Sequence, residues 1–436
     1  MANNIKAQQE ILEKLNIFEL NSMQQEAIAV IEHSTNTVIL SPTGTGKTLA
    51  FLLPVISLLD PKLNEVQALI LVPSRELAIQ IEQVIREMGS GFKVNAIYGG
   101  RSIAKDKIEM KHTPAILIGT PGRIADHFGQ ERFSKQYIKT LVIDEFDKFF
   151  EVGTEEEMKF ILGLLPTLNK RILTSATQGI KIPGFIRLDK PKVLNYLHEK
   201  YSKLELKTVL SKSVSKYSIL LDLLNHIGNH PGIIFCNTKE SIDELDSFLT
   251  RKKIAHGCFH SGMDQIERER TLIKLRNGSH SVVIASDLAS RGIDIPEMKY
   301  IIHFELPKKA EDFTHRNGRT ARVNSKGTAY ILKGLEEELP EYVKKAKVAD
   351  IRSQAELKAP HWQTLYISGG RKDKISKGDI AGYFFKQGNI SPDQLGIIEL
   401  KQDCTFVAVP ISIAKHLVKN LNNTKLKTKK VRVSII

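Results

Sequence analysis

Thr37-Val38-Ile39-Leu40-Ser41-Pro42-Thr43-Gly44-Thr45-Gly46-Lys47-Thr48 opens the chain to reading. Four apolar or β-branched residues make a buried strand, the glycine-rich segment makes a tight loop, and the apolar pattern beyond Thr48 makes a helix. In that order the three form a phosphate cradle. Glycines let backbone N–H groups close around phosphate oxygens, the helix N-terminus adds positive potential, and Lys47 neutralises the terminal phosphates. Thr43, Gly44, Thr45 and Gly46 line the cradle, and the Thr48 hydroxyl is placed for Mg²⁺. Ser41 stands where such loops usually carry their first glycine, so the strand–loop–helix context carries the reading.

A phosphate loop needs acidic partners, because Mg²⁺ prefers carboxylates and water. The apolar run 140–143 ends in Asp144-Glu145-Phe146-Asp147. Carboxylates at the C-terminal end of a parallel strand are expected beside the phosphate loop of a neighbouring strand. Asp144 then holds Mg²⁺ through water, and Glu145 polarises the attacking water. Without the four apolar residues ahead of it, an Asp-Glu pair reads as a solvated helix start.

Outward from this site the rhythm repeats. Runs at 37–40, 68–72, 94–98, 115–119, 140–143 and 171–174 are of buried-strand length, each separated by enough chain for a crossover helix. A polar stretch at 199–215 is a candidate linker. The rhythm resumes at 232–236, 255–259, 281–285, 299–304 and 328–332. The fold class is α/β, two parallel-sheet domains in tandem, over residues 1–200 and 201–345. From Glu336 to His361 the chain is highly charged and predicted helical, with a connector at 346–361. Residues 362–436 then read as strands at 364–367, 395–400, 405–409 and 430–435, with helices from Ser376 to Lys386 and over 412–421. That βαββαβ order is a small α+β plait.

The 436 residues suit two or three domains, and 42% hydrophobic with 26% charged content is that of a folded protein. The longest apolar run, 49–59, is too short to cross a bilayer and contains Pro54. The N-terminus lacks the layout of a secretory signal, so the cytoplasm is the expected location, with no membrane partner. Cys236, Cys258 and Cys404 lie far apart, against a disulfide framework or a zinc knuckle. Formal net charge is +14, and from residue 361 onward 13 Lys/Arg face 5 Asp/Glu. Such a local excess points to a polyanion, against the blander reading of a solubilising tail.

With these residues in hand, the stretch 15–335 resembles the DEAD-box branch of the superfamily 2 helicases, whose fold is two RecA-like domains. The resemblance implies ATP as the nucleotide, Mg²⁺ as its metal and RNA as the partner. Gln24, in Leu20-Asn21-Ser22-Met23-Gln24, matches the family's adenine-reading glutamine, and a side-chain amide can both donate and accept at the adenine edge. Phe18 is implied to stack on the base. Pro73-Ser74-Arg75-Glu76-Leu77-Ala78, Gly99-Gly100 and Thr120-Pro121-Gly122-Arg123 resemble the RNA-backbone motifs, which assigns Pro73, Arg75, Gly99, Gly100, Thr120 and Arg123 to RNA. Ser175-Ala176-Thr177 resembles the segment that couples hydrolysis to unwinding by hydrogen bonding Asp147.

In the second domain, 233–238 and Gln265-Ile266-Glu267-Arg268 resemble the family's next motifs. Ser286-Asp287-Leu288-Ala289-Ser290-Arg291-Gly292-Ile293-Asp294 resembles motif five, which implies Ser286 and Arg268 on RNA and Asp294 on the ribose. His315-Arg316-Asn317-Gly318-Arg319-Thr320-Ala321-Arg322 resembles motif six, with Arg319 and Arg322 as arginine fingers and His315 positioning water with Glu145. Independently of the family, three arginines spaced by three with no acidic neighbours suit a transferring γ-phosphoryl, and supplying them from a separate domain makes hydrolysis depend on closure. The chain departs from the pattern at Phe146, expected to crowd the coupling segment, and at Ser286, Asn317 and Ala321.

Residues 364–380, with Gly369-Gly370-Arg371-Lys372-Asp373-Lys374, are similar to the appended RRM-like RNA-recognition domain of the DbpA helicases. That implies ribosomal RNA or a pre-ribosomal particle as partner and a place in large-subunit assembly; no obligate protein partner is visible. Tyr366 and Phe406 are the only aromatics on the first and third strands, so the basic loops Arg371, Lys372 and Lys374, with Lys425, Lys427, Lys429, Lys430 and Arg432, are favoured over base stacking on the sheet. The implied activity is RNA-stimulated ATP hydrolysis with local RNA unwinding. An ATP-gated clamp or chaperone is the alternative, and only duplex displacement separates the two.

Overall fold

Strands form at the β-branched runs because their side chains are buried on both faces, a condition met by a parallel sheet with helices on either side. In the computed structural model the chain divides into two units near Ser202, and residues 5–100, 103–177, 181–198, 203–211, 215–287, 298–321, 326–343, 346–351 and 357–436 are described. The first unit holds β1 (Asn36–Leu40), β2 (Ala68–Leu71), β3 (Val94–Ile97), β4 (Ile116–Gly119), β5 (Thr140–Ile143), β6 (Lys170–Ser175) and β7 (Lys192–Asn195). Their order is β3-β4-β2-β5-β6-β1-β7, every pairing parallel. Successive residues feed opposite faces: Ile39 and Ile70 enter a cluster with Phe51, while Val38 and Leu69 enter one with Phe149. This order corrects one expectation. β5, which carries the carboxylates, is not adjacent to β1, because β6 lies between them.

The second unit opens with β8 (Lys203–Leu210), and this corrects the linker reading of 199–215. Eight residues of that stretch pair with the last long strand, from Lys203↔Lys326 to Leu210↔Lys333. With β9 (Gly232–Phe235), β10 (His256–Phe259), β11 (Val282–Ala285), β12 (Tyr300–His303), β13 (Lys326–Lys333) and β14 (Lys347–Val348) it makes a second all-parallel sheet, ordered β10-β11-β9-β12-β13-β8-β14. The connector is not helical among the described residues. It holds a 3₁₀ turn, Glu341–Val343, after Pro340, and then β14, which takes up the free edge of β8.

The C-terminal module contains β15 (Trp362–Ile367), β16 (Ile398–Leu400), β17 (Thr405–Pro410), a hairpin of β18 (Lys425–Leu426) and β19 (Lys429–Lys430), and β20 (Val433–Ile435). The sheet order β16-β17-β15-β20 with helices Lys377–Lys386 and Ile411–Leu421 is the expected plait. Ser376 and Asp379 close a reciprocal cap at the first helix. Leu365, Ile367, Val407 and Val409 face the helices and form the core.

The opposite face of that sheet is covered within the second unit. Thr364 is buried and hydrogen bonded to Ser279 Oγ at 2.7 Å, and Asn277 Nδ2 donates to it at 3.4 Å. Arg276, ending the helix Gln265–Arg276, grips Glu399 of β16 with both nitrogens, at 2.6 and 2.9 Å. Burial pushes the Glu399 carboxyl up, but the Arg276 bonds and Lys401 bring it below the ordinary value. Gly278 turns there at φ +73°, and a side chain on it would meet the Trp362 ring at 3.2 Å.

Candidate nucleotide and RNA site

The loop after β1 turns because Gly44 and Gly46 sit at φ +79° and +88°, where other residues are strained. Ser41 Oγ donates to Thr45 Oγ1 (2.7 Å), and Thr45 Oγ1 donates to the Pro42 carbonyl (2.9 Å), so the residue in place of the usual glycine braces the loop. Lys47 is buried, its ammonium donating to the Ser41 and Pro42 carbonyls at 2.5 and 2.8 Å. Thr48 follows on the first turn of the helix Lys47–Ser57.

Gln24 approaches from the preceding helix, Ser22–His33. Its Oε1 accepts from the Asn21 N–H (3.0 Å), its Nε2 donates to the Gly46 carbonyl (3.3 Å), and Asn21 Nδ2 donates to the Thr45 carbonyl (3.0 Å). A Cβ on Gly46 would lie 2.4 Å from Gln24 Nε2. The glutamine is thus a strut between helix cap and phosphate loop. Phe18 is 99% exposed.

β6 supplies the bridge that sequence reasoning missed. Thr174 donates to Asp144 Oδ1, and the Glu145 N–H donates to Thr174 Oγ1 at 3.1 Å. Asp144 is buried, and burial followed by the Glu145 charge pushes its carboxyl up to about 6, against the pull of Thr174 and Lys47. Glu145 sits at φ +52°, a left-handed conformation held by the strand end and the helix Phe146–Val152. Asp147 is within 3.4 Å of Thr177 Oγ1 and 3.7 Å of Lys148 Nζ, while Ser175 Oγ accepts from the Thr177 N–H at 3.0 Å. Phe146 turns away into the core with Phe149 and Met158, so it does not crowd this segment.

The first unit's basic motifs separate into two kinds. The Arg75 guanidinium lies over Gly99 and Gly100, where an added Cβ would meet it at 3.3 and 2.5 Å, with Pro73 just ahead. Thr120 begins the helix Pro121–Gly129. Arg123, expected on RNA, binds the buried Asp106 through Nε (2.9 Å) and Nη2 (2.7 Å), with His127 Nε2 on the same oxygen at 3.3 Å. No local sequence pattern pairs these residues, which sit 17 and 21 positions apart.

In the second unit, Arg316 is 1% exposed and corrects the expectation that the three arginines lack acidic partners. It grips Asp287 with Nε and Nη2, both at 2.6 Å, and also donates to the Glu305 carbonyl and Asn237 Oδ1. His315 and Arg319 are buried beside it. Asn317 pairs with buried His303 at 3.0 Å, and burial together with Arg316 holds His303 down at about 3. Ala321 lies at φ +49°, the physical reason a glycine suits that position. Arg268 donates to the Ser261 carbonyl (2.9 Å) and lies over the Phe259 ring, and the Ser286 N–H donates to the Phe259 carbonyl. Asp294 and Arg322 lie outside the described residues.

In the module, Arg371, Lys372 and Lys374 are exposed on a turn anchored by Gly370, where any side chain would meet the backbone of Gln402–Cys404 at 2.6–2.7 Å. The β18–β19 hairpin folds onto this turn: Lys429 pairs with Asp373 (2.7 Å) and Lys427 with Asp379 (2.6 Å). Lys427 and the Ser376 cap hold Asp379 down at about 2. Two tail lysines are therefore neutralised, and Arg371, Lys372, Lys374, Lys425, Lys430 and Arg432 remain exposed around them. Tyr366 and Phe406 meet edge to face at 5.7 Å on the covered side of the sheet.

Comparison with known families matches residues 21–182 to the DEAD/DEAH box helicase domain, 215–324 to the helicase conserved C-terminal domain and 364–435 to the DbpA RNA binding domain. The ATP-dependent RNA helicase DbpA of Bacillus subtilis (strain 168) is 30% identical over 97% of this chain and 96% of its own length. This chain belongs to the DEAD-box ATP-dependent RNA helicases. The Escherichia coli (strain K12) protein of the same name is 28% identical over 98% of this chain and 96% of its own. In fold the helicase is similar to S. cerevisiae Dbp5 bound to RNA and ADP BeF3, at TM-score 0.68 and 23% identity over 79% of this chain and 94% of that one. As a member of its family, the helicase binds and hydrolyses ATP and binds RNA. Among the described residues no helix is long and apolar enough to cross a membrane.

Proposed function

We propose that this helicase remodels ribosomal RNA in the cytoplasm during large-subunit assembly, and that its C-terminal module selects the RNA by loops. The observation that carries the second part is the covered sheet: Thr364 is buried against Asn277 and Ser279, while Arg371, Lys372 and Lys374 stand exposed beside the tail hairpin. A compact basic edge grips phosphates and 2′-hydroxyls, which is how structured RNA is held.

In the proposed cycle, Thr43 to Gly46 take the phosphates through backbone N–H groups, and Lys47 leaves its loop carbonyls to meet them. Gln24 sets the loop and reads the adenine edge, with Phe18 on the base and Asp294 on the ribose. Thr48 and Asp144 fit Mg²⁺, because a buried carboxyl held up to about 6 lacks a full counter-charge. Held by these two residues, Mg²⁺ would supply positive charge against the phosphates. Glu145 and His315 orient water, while Arg319 and Arg322 neutralise charge on the transferring group. Asp147, Ser175 and Thr177 pass that event to the RNA-binding residues Pro73, Arg75, Gly99, Gly100, Thr120, Arg268 and Ser286. Arg123, whose helix is also held through Asp106, joins them on RNA.

The test is crosslinking followed by sequencing of RNA bound to the full chain and to a chain ended near residue 360. Enrichment of a large-subunit ribosomal segment with the full chain, lost on truncation while ATPase on generic RNA persists, is the expected result. Equal competition by ribosomal and generic RNA for both chains would dismiss the address.

A further inference from the structure

Away from the nucleotide and RNA residues, three side chains of different chemistry converge in the second unit. His256 and Cys258 alternate on β10 and share one face, and Asp246 reaches them from the helix Lys239–Arg251. His256 Nε2 lies 2.9 Å from Asp246 Oδ1, and Cys258 Sγ lies 3.1 Å from the same oxygen. One ligand atom from each, imidazole nitrogen, thiol sulfur and carboxylate oxygen, falls within 4.8 Å of the others. The other imidazole nitrogen, Nδ1, faces the Ile254 carbonyl at 2.7 Å. A carbonyl only accepts, so Nδ1 carries the hydrogen and Nε2 points inward.

We propose that Asp246, His256 and Cys258 form a binding site for a thiophilic divalent cation, Zn²⁺ by ligand type, with its fourth position open to solvent. Carboxylate, imidazole and thiolate are the donor set such a cation takes. Zn²⁺ bonds of about 2.0–2.3 Å set tetrahedral neighbours about 3.3–3.6 Å apart, so Asp246 Oδ1 needs to part from the nitrogen and the sulfur by only about half an ångström, while those two already lie within 4.8 Å of each other. The side chain of His256 is 6% exposed and that of Asp246 48%, which buries the imidazole and leaves an approach from solvent on the carboxylate side. Binding replaces both the Cys258 S–H hydrogen and the His256 Nε2–H that faces Asp246 with bonds to the metal, and releases the two protons to water. The metal would staple helix Lys239–Arg251 to β10, at the edge of the second sheet.

Co²⁺ titration of the chelator-treated full chain tests this, because a thiolate ligand gives near-ultraviolet absorption that an oxygen site beside Thr48 and Asp144 does not. Wild type and Cys404→Ser should saturate at one Co²⁺ per chain, Cys258→Ser and His256→Gln should show no band, and Zn²⁺ should raise the unfolding temperature of wild type and Cys404→Ser but not of those two variants. Asp246→Asn, a half-exposed change that leaves the fold intact, should weaken Co²⁺ binding about tenfold or more. No band in wild type, or a band that survives Cys258→Ser or is untouched by Asp246→Asn, overturns the site and leaves a plain His–Asp ion pair with a donating thiol.

Discussion

Replacing Asp144 with asparagine should make the nucleotide-free protein more stable while removing its activity. The carboxyl is buried and pushed up to about 6 from 3.8, so the native state keeps a proton that the unfolded chain releases between those values. Stability therefore falls as pH rises through that window, and by neutral pH the ionised carboxylate costs about 3 kcal/mol at 1.36 kcal/mol per unit. Asparagine keeps the shape and an acceptor for the Thr174 hydroxyl but carries no charge. With Mg²⁺ chelated, Asp144→Asn should gain up to about 3 kcal/mol near pH 7.5, shrinking to about 1 kcal/mol near pH 4.5. Calorimetry should show the first unit's transition several degrees higher at neutral pH, since about 2–4 °C accompany each kcal/mol in domains of this size. RNA-stimulated ATPase should vanish in the same variant. A variant no more stable than wild type at neutral pH, or with an offset that ignores pH, would refute the reasoning.

Lys47→Ala and Arg322→Ala should each abolish RNA-stimulated ATP hydrolysis in a phosphate-release assay, and full activity in either removes that residue from the reaction. Arg316→Met should lower stability by about 3–5 kcal/mol in denaturant unfolding, because it strands Asp287 and the partners at Glu305 and Asn237. Ala321→Gly should raise stability by about 1 kcal/mol, because glycine adopts φ +49° without strain; an unchanged midpoint would show that the lost methyl packing offsets the relief.

Strands such as β2 and β5 are legible in the sequence because burial on both faces leaves a continuous apolar run. β8 is not, because Lys203-Leu204-Glu205-Leu206-Lys207 reads as polar while its backbone pairs with β13. Pairing is what fixes it, and pairing leaves no trace in composition. The phosphate loop and the acidic strand end are legible because their chemistry demands particular residue types in a short span. Arg316–Asp287 and Arg123–Asp106 are not, because a charge pair formed across 29 or 17 residues has no local signature. For the same reason the bond from Arg123 to Asp106 is not legible in the sequence. Thr174 escapes notice because its role depends on β6 lying between β1 and β5.

The Arg276–Glu399 clamp and the Thr364 contacts bear on how portable the C-terminal module is. Grafted alone onto a foreign helicase, it would expose Thr364, Tyr366 and the Trp362 edge to water, with Glu399 deprived of its arginine. A working chimaera would have to carry the end of helix Gln265–Arg276 and the Asn277-Gly278-Ser279 turn with it. The domain and the surface it rests on travel as one inheritable part.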